Sequence, residues 1–282
     1  MRKLLLGLVG AGIQRSLSPA LHEEEGRHHE LRVHYQLIDL EAAGVGVEAL
    51  PDLIRALRVM AFAGLNVTYP CKQAVIPLLD SLSEEARAIG AVNTIVREGS
   101  RLIGHNTDGS GWSWGFKRAL PGADLSRVVL LGAGGAGSAC ADAVLRLGAR
   151  ELVIVDRDAS RARALATKLL EQFPNVSATP DASAALEGAS GLIQATPVGM
   201  GTDRSMPLNE GLLRPSLWVS EIVYVPLETP LLKAARRIGC ATADGGHMNV
   251  GQAIGAFRLF TGLEADARRM EAHFRKLAAT SA

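Results

Sequence analysis

Short apolar runs alternate with longer segments that are apolar on one face along most of this chain. In the first part the runs over 4–9, 33–38 and 63–67 read as strands. Helices are expected over 18–30, with Pro19 in the first turn, and over 47–60 and 84–89, with a helix start over 73–79. The runs 94–97 and 102–104 flank Glu98-Gly99-Ser100 and predict a hairpin.

A second block begins near Gly109. It predicts a helix over 111–119, then a strand over 127–131 that runs into Gly132-Ala-Gly-Gly-Ala-Gly137. A helix over 138–147 follows, ended by Gly148, and then a strand over 151–155 that stops at Asp156. A helix over 160–172, strands over 191–195, 217–222 and 240–243, and closing helices over 250–261 and 266–277 complete the pattern. Repeated strand–helix alternation predicts an α/β protein. The glycine-rich junctions around 104–111 and 245–251 are candidate hinges.

The 282 residues, almost half of them apolar, suit one large or two modest domains. The 30 basic and 29 acidic residues nearly cancel, and no basic run stands out, which argues against nucleic acid as the main partner. The three cysteines, Cys71, Cys140 and Cys240, are far apart and odd in number, so neither a disulfide framework nor a Cys-x-x-Cys metal site is expected. A cytoplasmic setting and no resident metal are the expectations. The basic residues and apolar run at the N-terminus are read as a buried first strand rather than a signal peptide, because the run is short and breaks at Gly10-Ala-Gly12. No run approaches the roughly 20 apolar residues that cross a bilayer, so no membrane partner is expected.

Gly132, Gly134 and Gly137 form Gly-x-Gly-x-x-Gly between a strand and a helix, the context in which this otherwise weak motif binds a dinucleotide. The first glycine permits the tight turn, the second lets backbone approach a pyrophosphate, and the third allows close helix–strand packing. Gly10-Ala-Gly12 lacks the third glycine, since Arg15 stands there. Asp156 lies about 20 residues past the motif, where an acid accepts hydrogen bonds from the adenosine ribose and repels a 2′-phosphate. It predicts NAD over NADP, although Arg157, Arg161 and Arg163 could hold a 2′-phosphate. A turn-capping role for Asp156 stands beside that reading.

Several polar residues cluster where strands give way to loops. Ser16 and Ser18 share one face of an extended segment and suit a carboxylate or polyol, or else Ser18 caps the helix that Pro19 opens. Asn66 and Thr68 repeat that spacing, and Pro70 ends the strand pairing. Lys72 starts a helix, a position that favours loss of its proton, or else it is a solvated surface lysine. Asn93 in Gly90-Ala-Val-Asn-Thr94 and Asp108 in Gly104-His-Asn-Thr-Asp108 could each be turn residues or parts of a site.

These residues resemble the motifs of the shikimate dehydrogenase family. The resemblance rests on Ser16-Leu-Ser-Pro19, Asn66-Val-Thr-Tyr-Pro-Cys-Lys72, Gly90-Ala-Val-Asn-Thr94, Asn106-Thr-Asp108, Ala195-Thr-Pro-Val-Gly-Met200, Asp244-Gly245, Met248 and Gln252, in family order over nearly the whole chain. Asp156-Arg-Asp-Ala-Ser-Arg161 is most similar to the loop of the NAD-dependent quinate/shikimate dehydrogenases; the NADP-dependent biosynthetic members usually carry Asn-Arg-Thr/Ser there.

The resemblance implies a two-domain α/β enzyme. An N-terminal substrate domain over 1–108, completed by 245–282, joins a Rossmann NAD-binding domain over 109–244. It implies Lys72 and Asp108 as the catalytic pair, and Ser16, Ser18, Thr68, Asn93, Tyr224 and Gln252 as contacts to a small hydroxy-carboxylate substrate. Gly132, Gly134, Ala136, Gly137, Asp156, Arg161, Thr196, Ile222, Gly245 and Met248 fall on cofactor positions. The implied reaction is oxidation of shikimate or quinate at the C3 hydroxyl with NAD, by a monomer or homodimer. The alternatives are NADP-dependent reduction of 3-dehydroshikimate and a non-catalytic quinate- or shikimate-binding regulator. Three positions depart from the family: Cys71 stands where an aromatic residue is common, Glu221 where Asp is usual, and His247 beside an expected cofactor contact, where it reads as an exposed loop imidazole. Ser18 stands where quinate-using members often carry Thr.

Overall fold

The computed structural model describes residues 1–280. Its chain divides into two compact units, the first made of Met1–Thr107 with Gln252–Leu277 and the second built on Asp108–Gly251. In chain order the first unit opens with β1 (Lys3–Gly10), α1 (Ser18–His28), β2 (Arg32–Asp39), α2 (Leu50–Val59) and β3 (Gly64–Val67). It continues with α3 (Cys71–Ala74), β4 (Ser81–Leu82), α4 (Glu84–Ile89), β5 (Thr94–Glu98) and β6 (Arg101–His105). The strands form a mixed sheet in the order β2-β1-β3-β5-β6-β4. β1 runs parallel to β2 and β3, whereas β5 is antiparallel to β3 and to β6.

The second unit contains α5 (Asp108–Ala119), β7 (Val128–Leu131), α6 (Gly135–Arg146), β8 (Leu152–Val155), α7 (Ala159–Leu170) and β9 (Val176–Thr179). α8 (Ala182–Leu186), β10 (Gly191–Gln194), β11 (Trp218–Glu221), α9 (Pro230–Ile238) and β12 (Thr242–Ala243) follow. α10 (Gly245–Thr261) begins in this unit and ends in the first, which α11 (Ala267–Thr280) also joins over most of its length. The second sheet is parallel throughout, in the order β12-β11-β10-β7-β8-β9. Chain order reverses between β7 and β10, the switch point of a doubly wound Rossmann sheet, beside which such folds bind dinucleotides.

Period-two alternation places both sheet faces in apolar layers. In the first unit Leu65 and Val67 pack with Leu50, Ile54 and Leu57 of α2, while Leu6 and Leu8 pack on the opposite side with Ala256 and Phe260 of α10. In the second, Leu130, Ile154 and Ile193 meet α6 and α7 through Val144 and Leu165. Val129, Val153 and Leu192 meet Leu186 of α8 and Leu232 of α9.

Several local expectations need correction. Ser18 does not cap α1: the cap position is Leu17, no side chain caps it, and Pro19 lies inside the first turn. The helix expected over 47–60 is a 3-10 turn at Val47–Ala49 followed by α2. α5, α6 and α10 start earlier than periodicity indicates, so the candidate hinge over 245–251 is regular helix. His247 therefore lies in α10, half-buried, and an added Cβ on Gly115 would come within 2.7 Å of its Cβ. β4, β9, α8 and α9 have no counterpart in the pattern. β9 is an edge strand with only Val176 buried, so it carries no alternation.

Candidate active site

In the first unit the chain direction gathers the polar residues along one edge of the sheet. β1 and β3 are parallel and end there; β5 is antiparallel to β3 and begins there; β6 ends there. Ser16 and Ser18 follow β1, Thr68 and Lys72 follow β3, Asn93 precedes β5, and Asn106 and Thr107 follow β6. Ser16 Oγ donates to Ser18 Oγ at 3.2 Å and accepts the Ser18 amide at 3.3 Å, so the two hydroxyls form one unit.

The loop bearing them is held by a residue that the sequence did not single out. Asp39, at the end of β2, accepts the amides of Gly12 (2.9 Å) and Ile13 (3.0 Å) and the Gln14 side chain (3.0 Å). The Thr68 amide donates to the Val9 carbonyl at 2.9 Å, and the Thr68 carbonyl accepts from Cys71 at 2.8 Å. This tight turn sets Lys72 on α3, where its carbonyl accepts the Val92 amide at 2.9 Å, one residue from Asn93. Cys71 points the other way, into the core with Val75 and Leu65, where burial pushes its thiol up to about 11. It is thus a core residue beside Lys72.

Asn93 is held by its neighbours. Its Oδ1 accepts the Thr107 amide at 2.8 Å and the Thr94 hydroxyl at 2.9 Å, while its Nδ2 donates to Thr107 Oγ1 at 2.9 Å. Thr107 Oγ1 also donates to the Gln252 carbonyl at 3.0 Å, bringing Gln252 into the same cluster. Ser16, Ser18, Thr68, Lys72, Asn93 and Gln252 all belong to the first unit, whereas Asp108 and Tyr224 belong to the second. Asp108 is buried at the start of α5, where a carboxylate suits the positive end of the helix.

In the second unit every cofactor candidate follows the carboxyl end of a strand or lies in the helix that succeeds it. Gly132 follows β7 with φ +98°, a left-handed conformation that favours glycine. A Cβ on Gly137 would sit 2.0 Å from the Gly132 carbonyl oxygen, so the third glycine is required by packing. A Cβ on Gly134 would meet nothing within 4 Å. No side chain caps α6, and the amides of its first turn, Ala136 among them, lack intrahelical partners by geometry. Open space above Gly134 and a row of amide donors fit a pyrophosphate at a helix N-terminus.

Asp156 Oδ2 accepts the Ala133 amide at 2.7 Å, and its Oδ1 accepts the Asp158 amide at 2.9 Å. Arg157 and Arg161 are exposed. Thr196 follows β10 and is braced by Gln194, a buried amide that the sequence did not reveal as structural. Gln194 Oε1 accepts the Thr196 amide (3.1 Å) and hydroxyl (2.9 Å), and its Nε2 donates to the carbonyls of Thr196 (3.1 Å) and Val198 (3.2 Å).

Glu221 closes β11 and is wholly buried. It accepts the Val223 amide at 3.0 Å and the Thr229 hydroxyl at 3.1 Å, which fixes the turn holding Ile222. Burial raises its carboxyl to about 7, against these hydrogen bonds, which favour the ionised form. A Cβ on Gly245 would meet the Val223 and Ile222 carbonyl oxygens at 2.3 and 2.5 Å, so α10 starts against this turn, with Met248 one turn on in the core. Tyr224 is hydrogen-bonded to Asn249, and burial raises its phenol above the usual range.

The strand order, glycine loop and terminal acid define a dinucleotide-binding Rossmann unit joined to an α/β unit rich in polar side chains. Family comparison agrees with this division. Residues 8–95 match the model of the shikimate dehydrogenase substrate binding domain, and residues 116–199 match that of shikimate / quinate 5-dehydrogenase. A protein of Streptomyces avermitilis named shikimate dehydrogenase (NADP(+)) is 53% identical, covering 99% of this chain and 97% of its own. One of Corynebacterium efficiens named quinate/shikimate dehydrogenase (NAD(+)) is 43% identical over 97% of this chain and 98% of its own. The solved structure of quinate dehydrogenase from Corynebacterium glutamicum in complex with NAD matches with a TM-score of 0.91 at 42% identity, covering 98% of this chain and all of that one. The chain belongs to the shikimate dehydrogenase family, and it is an oxidoreductase that works with a nicotinamide dinucleotide. No helix among the described residues is long and apolar enough to cross a membrane.

Proposed function

We propose that this protein oxidises shikimate, quinate or both at the C3 hydroxyl, giving 3-dehydroshikimate or 3-dehydroquinate, with NAD as the preferred acceptor. The observation that carries the cofactor preference is the Asp156 carboxylate at the end of β8, bonded to the glycine loop at Ala133. A negative charge there accepts from the adenosine ribose hydroxyls and repels a 2′-phosphate. The names of the Corynebacterium relatives support the same reading. The Streptomyces avermitilis relative and the exposed Arg157 and Arg161 favour the second reading, an NADP-dependent reduction of 3-dehydroshikimate.

Residue roles follow from the first unit's polar edge and the start of α5. Ser16 and Ser18 hold their hydroxyls 3.2 Å apart as a pair for the substrate carboxylate. Asn93 has its amide oxygen engaged by the Thr107 amide and so presents N–H as a donor to ring hydroxyls. Thr68, Tyr224 and Gln252 complete the set of substrate contacts. Gly132, Gly134, Ala136, Gly137, Thr196, Ile222, Gly245 and Met248 line the cofactor side, with Arg161 at its outer end. The chemistry that the cofactor supplies when bound is two-electron hydride transfer at the nicotinamide. Lys72 and Asp108 receive the C3 hydroxyl proton in the oxidation and return it in the reverse direction. Asp108 orients Lys72, and the lysine charge stabilises the alkoxide as it develops. A two-by-two assay of quinate and shikimate against NAD and NADP tests the reading. Higher kcat/KM with NAD on either substrate supports it, and a marked preference for NADP refutes the NAD assignment.

A further inference from the structure

A row of buried polar side chains crosses the first sheet from β2 to β5. In register, Tyr35 lies opposite Leu6 on β1, Asn66 opposite Leu8, and Thr94 opposite Asn66. Tyr35, Asn66 and Thr94 are all buried, on the apolar face that Leu6 and Leu8 share with Tyr35. The Tyr35 hydroxyl reaches past β1 to Asn66 Oδ1 at 2.7 Å. The Asn66 amide donates to Thr94 Oγ1 at 3.0 Å and to the Asn93 carbonyl at 3.2 Å. The Thr94 hydroxyl donates in turn to Asn93 Oδ1 at 2.9 Å.

Each link has one direction. A phenol whose hydrogen points at Asn66 makes that amide oxygen the acceptor and turns its NH2 toward Thr94. Thr94 Oγ1, receiving that N–H, sends its own hydrogen to Asn93. Asn93 Oδ1 is thereby held as an acceptor, together with the Thr107 amide, and its NH2 stays on the donor side, with one hydrogen on Thr107 Oγ1 at 2.9 Å. Tyr35 itself is fixed by stacking on His22, with ring centroids 5.0 Å apart and planes 16° apart. A chain of polarised bonds in a low-dielectric interior strengthens its members.

We propose that Tyr35 is a positioning residue for substrate recognition, acting through Asn66 and Thr94 to fix the orientation of the Asn93 amide. This rests on the reading of Asn93 as a substrate contact. Its chemical consequence is that Asn93 selects for a substrate oxygen that accepts a hydrogen bond, and that this selection is set from the far side of β1.

The test is steady-state kinetics with shikimate or quinate on Tyr35→Phe, which removes one hydroxyl and keeps the ring. The expected result is a rise in substrate KM of about three- to tenfold, with kcat changed less than about twofold and the cofactor KM unchanged. Thr94→Val, which cuts the same chain, gives the same pattern, and Thr94→Ser, which restores the hydroxyl, returns the wild-type KM. In the background of Asn93→Ala, adding Tyr35→Phe raises the substrate KM no further. An unchanged substrate KM in Tyr35→Phe, or additive effects in the double variant, overturns the inference while leaving Asn93 as a contact. An unchanged substrate KM in Asn93→Ala overturns the contact reading itself, and the inference with it.

Discussion

Asp156 Oδ2 and the Ala133 amide meet at 2.7 Å, so the acid that ends β8 is fastened to the loop that would cradle the dinucleotide phosphates. The bond presets the carboxylate, and lone pairs remain on both oxygens for ribose hydroxyls. Replacing this carboxylate by a neutral amide removes repulsion toward a 2′-phosphate and weakens the ribose contact. Asp156→Asn is expected to lower the ratio of kcat/KM with NAD to that with NADP by about tenfold, roughly 1.4 kcal/mol. An unchanged ratio would show that the preference is set elsewhere.

The glycine loop gives a paired prediction, because its second and third glycines have different surroundings. Gly134→Ala places its methyl in open space at a φ of −79°, which any residue adopts. It should leave the melting temperature within about 2 °C of wild type, yet raise the cofactor KM by about tenfold, since the methyl would fill the space proposed for the pyrophosphate. Gly137→Ala drives its methyl against the Gly132 carbonyl, and it is expected to lose about 2 kcal/mol of stability as well as cofactor affinity. Thermal melts alongside cofactor titrations distinguish the two variants.

Glu221 makes stability depend on pH. Its carboxyl is raised from 4.5 to about 7 by burial, so the folded protein binds a proton there that the unfolded chain has released. Stability from this group therefore falls as pH rises from about 4.5 to 7 and is level above that, a loss on the order of 3 kcal/mol. Glu221→Gln removes the dependence. The difference in melting temperature between the variant and wild type should shift in the variant's favour as pH rises from 5 to 8. A difference that stays constant over that range would mean that Glu221 does not titrate there.

Much of the fold was legible because its signals are local and strong. The glycine loop, the buried runs of β7 and β8, and Glu84–Ile89 with Ser83 as a side-chain cap state their conformation in a few residues. α9 carries a comparable signal, with Thr229 capping it, Pro230 at its start and Gly239 at its end, although no strong apolar run marks it. β4 and β9 were not legible, since short edge strands have few buried positions and form only by pairing with a neighbour. Ser16, Ser18, Thr68, Lys72, Asn93 and Asp108 stand out in the sequence as polar groups where strands give way to loops, whereas Tyr224 and Gln252 come only with the family resemblance. The groups that hold them did not: Asp39 and Gln194 look in sequence like ordinary polar residues, and only the fold turns their side chains onto backbone amides. Ser18 shows the converse, since its hydroxyl lies beside Ser16 rather than capping α1, although its sequence context suits a cap.

Lys72, set by the Thr68–Cys71 turn, is proposed to carry the proton transfer of an alcohol oxidation. The most direct measurement is the steady-state kinetics of Lys72→Ala with shikimate or quinate and NAD, reading kcat and substrate KM separately. With Lys72 in that role, kcat falls about 10²- to 10⁴-fold and substrate KM changes only a few-fold. Near-normal kcat in a folded Lys72→Ala protein would contradict it.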